Sequence, residues 1–268
     1  MSVIFDYKTT AFVSGLMLGS HKSQQRGNGF DFYKRSVFLD EPDISRLDLK
    51  ASLTDPFESL HVKSFRQRSK IDVLTLVDGS SSMLFANKLT RLVEVFNSIQ
   101  QSVNAAGDHF HGFLFNQQRH RINDITALQS AFSELKPEQN QAEAFLTISQ
   151  IIPAKPSLIF IISDFHWPEW QLHAVMTALS AHQIVPVIVW SRAEYQDYPL
   201  WRFVELTDLE SGRSALVFIT PSQRAAIQQR YQRHEQALQQ QFRRFNQHPF
   251  WLIDNYSAQN MHRYFAMR

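Results

Sequence analysis

The chain contains no cysteine. That excludes a disulfide framework, a cysteine-ligated zinc and a thiol nucleophile, and it fits a reducing, cytoplasmic compartment. Glycine and proline are scarce, at 8 and 10 in 268 residues, too few for long flexible linkers. No run of about 18 apolar residues occurs, so no membrane-spanning helix is expected. The apolar stretch Phe12 to Leu18 is too short to span, lacks a basic leader region and follows Asp6. It reads as a buried strand or short helix rather than a signal segment. An excess of one charge is also missing. The 27 basic and 25 acidic side chains leave a net charge of +2, with no electrostatic footprint for nucleic acid. There is no glycine-rich phosphate loop, no G-x-S-x-G elbow and no internal repeat.

What is abundant is apolar. Hydrophobic residues make up 44% of the chain and aromatics 13%, enough for a large globular core. From Asp72 onward, short β-branched runs alternate with amphipathic stretches. Asp72–Val77, His109–Phe115, Ser157–Ser163, Ile184–Trp190 and Phe250–Ile253 read as strands, and Gln118–Ile122 as a polar edge strand. Leu84–Val103 carries Leu89, Leu92, Val95, Phe96 and Ile99 at helical spacing. Further helices are predicted over Ile125–Leu135, Gln141–Ile151, Trp170–Ala181, Pro221–Phe245 and Ala258–Phe265. Pro186 inside its strand predicts an edge position or a bulge. Val204–Ile219 reads as two strands about a Ser211–Gly212 turn.

This order predicts an α/β fold. Its core is an open, doubly wound, mostly parallel sheet flanked by helices over residues 71–268, including a carboxyl-terminal hairpin and helices. Residues 1–70 hold Gly15, Gly19, Gly27 and Gly29, half of all glycines, and a basic cluster of Arg66, Arg68 and Lys70. They read as an irregular, partly β amino-terminal extension.

The chemistry concentrates in Val77-Asp78-Gly79-Ser80-Ser81-Ser82-Met83, at the carboxyl end of a buried strand and just before a helix. Ligands of open α/β sheets bind at that edge. One carboxylate and two hydroxyls at alternate positions form the oxygen cluster that hard cations such as Mg²⁺ or Mn²⁺ require. A second carboxylate, Asp164, directly follows the strand ending at Ser163 and would reach the same rim. The alternative is that these serines and aspartates only cap helices. His166 and Trp167, next to Asp164, are candidates for a partner-binding surface, with ordinary loop packing as the alternative. His109 and His111 alternate on one strand but have no evident third ligand, so a structural role is expected. The arginines of Pro221–Phe245 read as a solvated face.

Asp78-x-Ser80-x-Ser82-Met83, with Ser163-Asp164, resembles the metal-ion-dependent adhesion site of von Willebrand factor A-type (vWA) domains, which are Rossmann-like. Gly19-Ser-His21-x-Ser23, Arg26-Gly27-x-Gly29-Phe30, Arg35 and Asp43-x-x-Arg46-x-Asp48 resemble the pattern of the DUF58 family. So do Asp208-Leu-Glu210-Ser-Gly212 and the later Arg230, Tyr231 and His234. Where most members have an aspartate–tryptophan pair, this chain has Asp48-Leu49. The resemblance implies a non-enzymatic interaction module. Asp78, Ser80 and Ser82 would hold Mg²⁺ or Mn²⁺, Asp164 would assist through water, and a partner's acidic group would complete the coordination. It also implies a MoxR-type AAA+ ATPase as partner, with other vWA proteins besides, in a chaperone-like or assembly role. The family's loop threonine is missing from Lys136–Glu143, which leaves Asn140, Gln139 or Glu138 to supply an oxygen. The competing reading is a Mg²⁺-dependent phosphoryl hydrolase with Asp78 as nucleophile. It lacks a phosphate clamp, and the nearest lysine, Lys88, is expected a turn into the helix.

Overall fold

The computed structural model describes residues 3–7, 9, 18–39, 44–57, 59–116, 118–134, 142–207, 214–253 and 255–267. Asn140 and its neighbours Glu138 and Gln139, the Ser211–Gly212 turn and most of Phe12–Leu18 lie outside these. A long strand, β1 (Leu18–Val37), pairs antiparallel with β2 (His61–Ser69) through a register that shifts several times. Between them sits α1 (Leu49–Leu53), whose amino end is capped by the Asp48 carboxylate accepting from the Ala51 amide at 3.2 Å. This hairpin forms a sheet of its own.

The remaining elements alternate. They run β3 (Asp72–Asp78), α2 (Lys88–Ala106), β4 (His109–Phe115), β5 (Arg119–Ile122), α3 (Ile125–Ser133), a 3₁₀ helix (Ala142–Gln150) and β6 (Leu158–Ser163). Then follow α4 (Glu169–Ala178), β7 (Gln183–Val189), β8 (Arg202–Thr207), β9 (Ser214–Ile219), α5 (Pro221–Arg244), β10 (Phe250–Leu252) and α6 (Ala258–Ala266). Six strands form one sheet in the order β10-β7-β6-β3-β4-β5. All its pairings are parallel except β4–β5, which is antiparallel at the edge. The chain is therefore α/β with a mostly parallel sheet, in agreement with the alternation in the sequence.

Side chains alternate between the two faces because successive strand residues point oppositely. Val73, Val77, Leu158, Phe160, Ile162, Val185 and Val187 pack in one core with α2, α3 and α6. Leu74, Leu76, Ile159, Ile161, Ile184 and Ile188 pack in the other with the 3₁₀ helix, α4 and α5. The amino-terminal Phe5 and Tyr7 enter the first core, where Phe5 stacks on Phe265 and the Tyr7 hydroxyl donates to Asp108 Oδ2 at 2.5 Å.

Three expectations are corrected. The first helix begins at Lys88 rather than Leu84. A 3₁₀ turn (Ser81–Leu84) precedes it, and Ala86 in the left-handed region (φ 52°) breaks any continuous helix. The segment expected as an α-helix from Gln141 winds as a 3₁₀ helix over Ala142–Gln150. Its buried Phe145 and Ile148 are three apart, the period of that tighter helix. β7 is not an edge strand and shows no bulge against β6, but Pro186 itself is paired only with Ile161 of β6. The Trp190 amide donates to the Leu252 carbonyl, so by alternation the nitrogen of Pro186 also faces β10. The three-residue β10 starts opposite Val187, and the missing donor falls short of it.

Candidate functional site

The chain passes from β3 to β4 on one side and reaches β6 on the other. A crevice must therefore open between the carboxyl ends of β3 and β6. Asp78 ends β3 and Asp164 follows β6, so both stand at this switch point. At Gly79 the backbone crosses close to β4: its amide donates to the Phe115 carbonyl at 2.7 Å, and a Cβ there would lie 3.1 Å from that oxygen. The turn then folds back, so that the Ser80 amide donates to Asp78 Oδ1 at 2.9 Å and the Ser80 and Ser82 hydroxyls meet at 3.0 Å.

The Asp78 carboxylate is fully buried. Its Oδ2 accepts from the Ser163 hydroxyl at 2.5 Å and from the Trp167 indole N–H at 2.9 Å. Burial, and then the charge of Asp164, push its pKa up to about 6. Phe165 takes a left-handed conformation (φ 53°), held by its amide donating to the Ser163 hydroxyl at 2.9 Å. That turn sends Asp164 toward α2 and Trp167 back over Asp78.

Lys88 supplies what the sequence reading set aside. Because α2 starts at this residue, its side chain enters the rim, and it is 0% exposed. The ammonium donates to Asp164 Oδ2 at 2.9 Å and also pairs with Glu194 Oε1. Burial alone would raise the Asp164 pKa. The charges of Lys88 and His166, with hydrogen bonds from Lys88 and Ser82, outweigh it and hold the group down to about 2. Burial likewise opposes the charge on Lys88, but Asp164 and Glu194 together raise its pKa. Glu194 ends a 3₁₀ turn (Arg192–Glu194) just past β7, where its other oxygen accepts from the Ser191 amide at 2.9 Å in a capping box. The pattern Ser191-x-x-Glu194 after a strand was the signal that could have placed this carboxylate at the rim.

Outside the charge cluster lies a cleft of about 500 Å³ lined by His166, Glu194, Tyr198, Ile227, Arg230, Tyr231 and His234. His166 stacks on Trp190 at 5.8 Å (interplanar angle 2°) and on His234 at 5.2 Å (14°). Burial, then the charge of His166, lower the pKa of His234. One of its ring nitrogens bonds the Phe165 backbone, while Nε2 is buried with no hydrogen-bond partner. Trp190 fastens this wall from behind, its indole N–H donating to the Asp164 carbonyl at 2.8 Å. Of the two expected surface residues, His166 faces the cleft. Trp167 is half-buried between Phe145 and Phe165 with its N–H donating to Asp78. His109 is exposed, and His111 sits 3.3 Å from Asp72 Oδ1.

Asp78, Ser80, Ser82 and Asp164 thus reach one rim, but as arranged they do not fit a divalent ion. Asp78 already accepts three protein hydrogen bonds. One oxygen of Asp164, Oδ2, is bound to a buried ammonium, and the other accepts from the His166 amide. Mg²⁺ demands a near-octahedral set of free oxygens and dehydrates reluctantly, and here it would have to displace a cation fixed to the chain. Asp164, His166 and Glu194 do offer ligand atoms within 4.8 Å of one another, but Lys88 binds two of the three.

A pH dependence follows from the two aspartates. The folded-state pKa of Asp78, about 6, lies above its unfolded value of 3.8. Its contribution to stability is therefore complete below about pH 4 and lost as pH rises through about 6. Asp164 runs the other way: its contribution is present above pH 3.8 and lost as pH falls through about 2. Asp78→Asn removes the first dependence only. The melting temperature of the variant should gain on the wild type between about pH 4 and about pH 7, whatever the constant offset from altered hydrogen bonds. Parallel melting curves across that range would contradict the burial assigned to Asp78.

A family model described as "Protein of unknown function DUF58" matches residues 43–237. No curated protein matches. Among solved structures, an aerotolerance-related membrane protein from Bacteroides fragilis NCTC 9343, carrying multiple mutations to serines, is 12% identical with a TM-score of 0.41; 74% of this chain and 97% of that one are covered. BatB from Bacteroides thetaiotaomicron, a conserved hypothetical protein, is 11% identical with a TM-score of 0.37, over 74% of this chain and 100% of that one. Neither likeness bears on function. Among the described residues no helix is long and apolar enough to cross a membrane.

Proposed function

The chain belongs to the DUF58 family, and we propose that it is a protein-binding module rather than an enzyme, receiving its partner at the rim where β3, β6 and β7 end. The observation that supports this most is how far the protein itself engages Asp78. Its Oδ2 accepts from both Ser163 and Trp167 and its Oδ1 from the Ser80 amide, so three of the carboxylate's roughly four lone-pair directions are taken, whereas a phosphoryl-transfer nucleophile needs an oxygen free to attack. The fold in this reading is vWA-type and the location cytoplasmic. The partner implied by the family resemblance is a MoxR-type AAA+ ATPase, which the module would assist in a chaperone-like or assembly role.

Recognition on this reading takes place in the cleft. Lys88 shares its one charge between Asp164 and Glu194 behind the cleft, while Arg230 is the exposed cation of the lining, set beside the rings of His166, Tyr231 and His234. That wall suits an acidic side chain presented with apolar surroundings, because arginine binds carboxylates through paired N–H groups. A pull-down of the AAA+ ATPase by the native protein and by Arg230→Glu checks it. Reversal of this exposed charge should reduce capture at least about tenfold, the effect of repelling a paired charge. Equal capture by both proteins, or turnover of generic phosphate esters by the native protein, would overturn the reading.

A further inference from the structure

We propose that the Lys88 ammonium is the permanent cation of this rim, holding Asp164 and Glu194 together as a divalent ion would, so that the site is built to work without metal. The geometry is that of a coordination centre with nitrogen at its middle. One atom, Nζ, joins a carboxylate from the end of β6 to a carboxylate from the turn after β7, and it is carried by the first residue of α2. Three separate chain segments are thus tied at a single buried point. Asp164 is further fixed by the His166 amide on Oδ1 at 3.3 Å, and Glu194 by the Ser191 amide on Oε2 at 2.9 Å. Each carboxylate therefore already has one oxygen bound to backbone and the other to the ammonium.

A divalent ion bound directly to Asp164 or Glu194 and this ammonium exclude each other. Both would claim the same oxygens, and two cations in contact inside a buried site repel strongly because little water screens them. The lysine holds the advantage, since its position is set by the helix start and costs no dehydration of a free ion at the moment of binding. The missing loop threonine follows naturally, because a site that carries its own cation has no use for an extra oxygen ligand. This assignment stands on Lys88 itself and holds whatever partner the rim receives.

The native protein decides the question directly. Titrated with Mn²⁺ in the millimolar range, it should leave the electron paramagnetic resonance signal of free Mn²⁺ undiminished, and its melting temperature should be the same with Mg²⁺ as with chelator. Lys88→Ala, which empties the centre and leaves both carboxylates unpaired, should bind Mn²⁺ about tenfold or more tighter than the native chain. Added divalent ion or a short alkylamine should raise the melting temperature of that variant. Mn²⁺ binding by the native protein that Mg²⁺ displaces and Asp78→Ala abolishes would overturn the proposal. A Lys88→Ala protein that melts like the native one and ignores both additives would overturn it equally. Should that variant not fold, the native titration stands alone. Lys88→Arg, which keeps the charge, is expected to stay folded and blind to metal, and Mn²⁺ binding by it would count against the proposal.

Discussion

Lys88→Met is expected to lower the free energy of unfolding at neutral pH by about 3–5 kcal/mol, the cost of stripping one partner from a buried ion pair. Methionine fills much of the lysine's volume, so little of this loss comes from a cavity. What remains is two carboxylates, Asp164 at 1% exposure and Glu194 beside it, facing each other with no counter-charge. The loss should shrink as pH falls, because the variant can protonate these groups. The wild type has its full stability from Asp164 only above about pH 3.8 and loses it as pH falls through about 2, the value to which Lys88 holds the group, so the two proteins converge at low pH. Adding Asp164→Asn and Glu194→Gln to Lys88→Met should recover a large part of the deficit, since removing a whole buried charge cluster costs far less than breaking it. Urea unfolding of the single and triple variants measures both. A single variant within about 0.5 kcal/mol of the wild type, as for an ordinary surface change, would mean that the ammonium is not where this account puts it.

Trp190→Ala should cost about 3–5 kcal/mol as well, for a different reason. The side chain is 2% exposed and closes the end of β7 against Tyr231 and Trp251, at ring distances of 5.5 and 5.0 Å. Removing a buried aromatic loses its transfer free energy and leaves a cavity that the surroundings fill only in part. Its indole N–H also holds the Asp164 carbonyl, and the Arg91 guanidinium in turn donates to the Trp190 carbonyl at 2.9 Å. Trp190→Phe separates the two contributions: it keeps most of the packing but orphans the carbonyl, for a loss of about 1–3 kcal/mol. If Phe and Ala cost the same in urea unfolding, the hydrogen bond rather than the ring dominates, against the burial seen here.

The strands and the rim were legible in the sequence for a simple reason. Buried parallel strands are short β-branched runs with no polar interruption, and Asp72–Asp78 and Leu158–Ser163 are such runs, each ending on the residues that form the site. Their adjacency in the sheet then brings Asp78 and Asp164 to one edge. Lys88 was not legible, because its role turns on a helix boundary. Apolar periodicity carries the helix back to Leu84, which would put Lys88 a turn inside. The left-handed Ala86 resets the start to Lys88 itself and points the side chain into the crevice. Glu194 was missed because a lone glutamate after a strand reads as solvated, and only its capping box with Ser191 marks it as fixed. His234 lies on a helix whose arginines and glutamines dominate the pattern, and its stacking on His166 joins residues far apart in the chain. Pro186 misled for the opposite reason. A rule about missing donors applies only where a neighbour offers an acceptor, and the three-residue β10 does not reach that far.

The most direct test is a crystal structure of the native protein grown with millimolar Mn²⁺ and examined for anomalous scattering. The account predicts no manganese at the rim and Lys88 Nζ lying between Asp164 and Glu194. A manganese ion bound by Asp78, Ser80 and Ser82, with the Lys88 side chain displaced from Asp164, would contradict it.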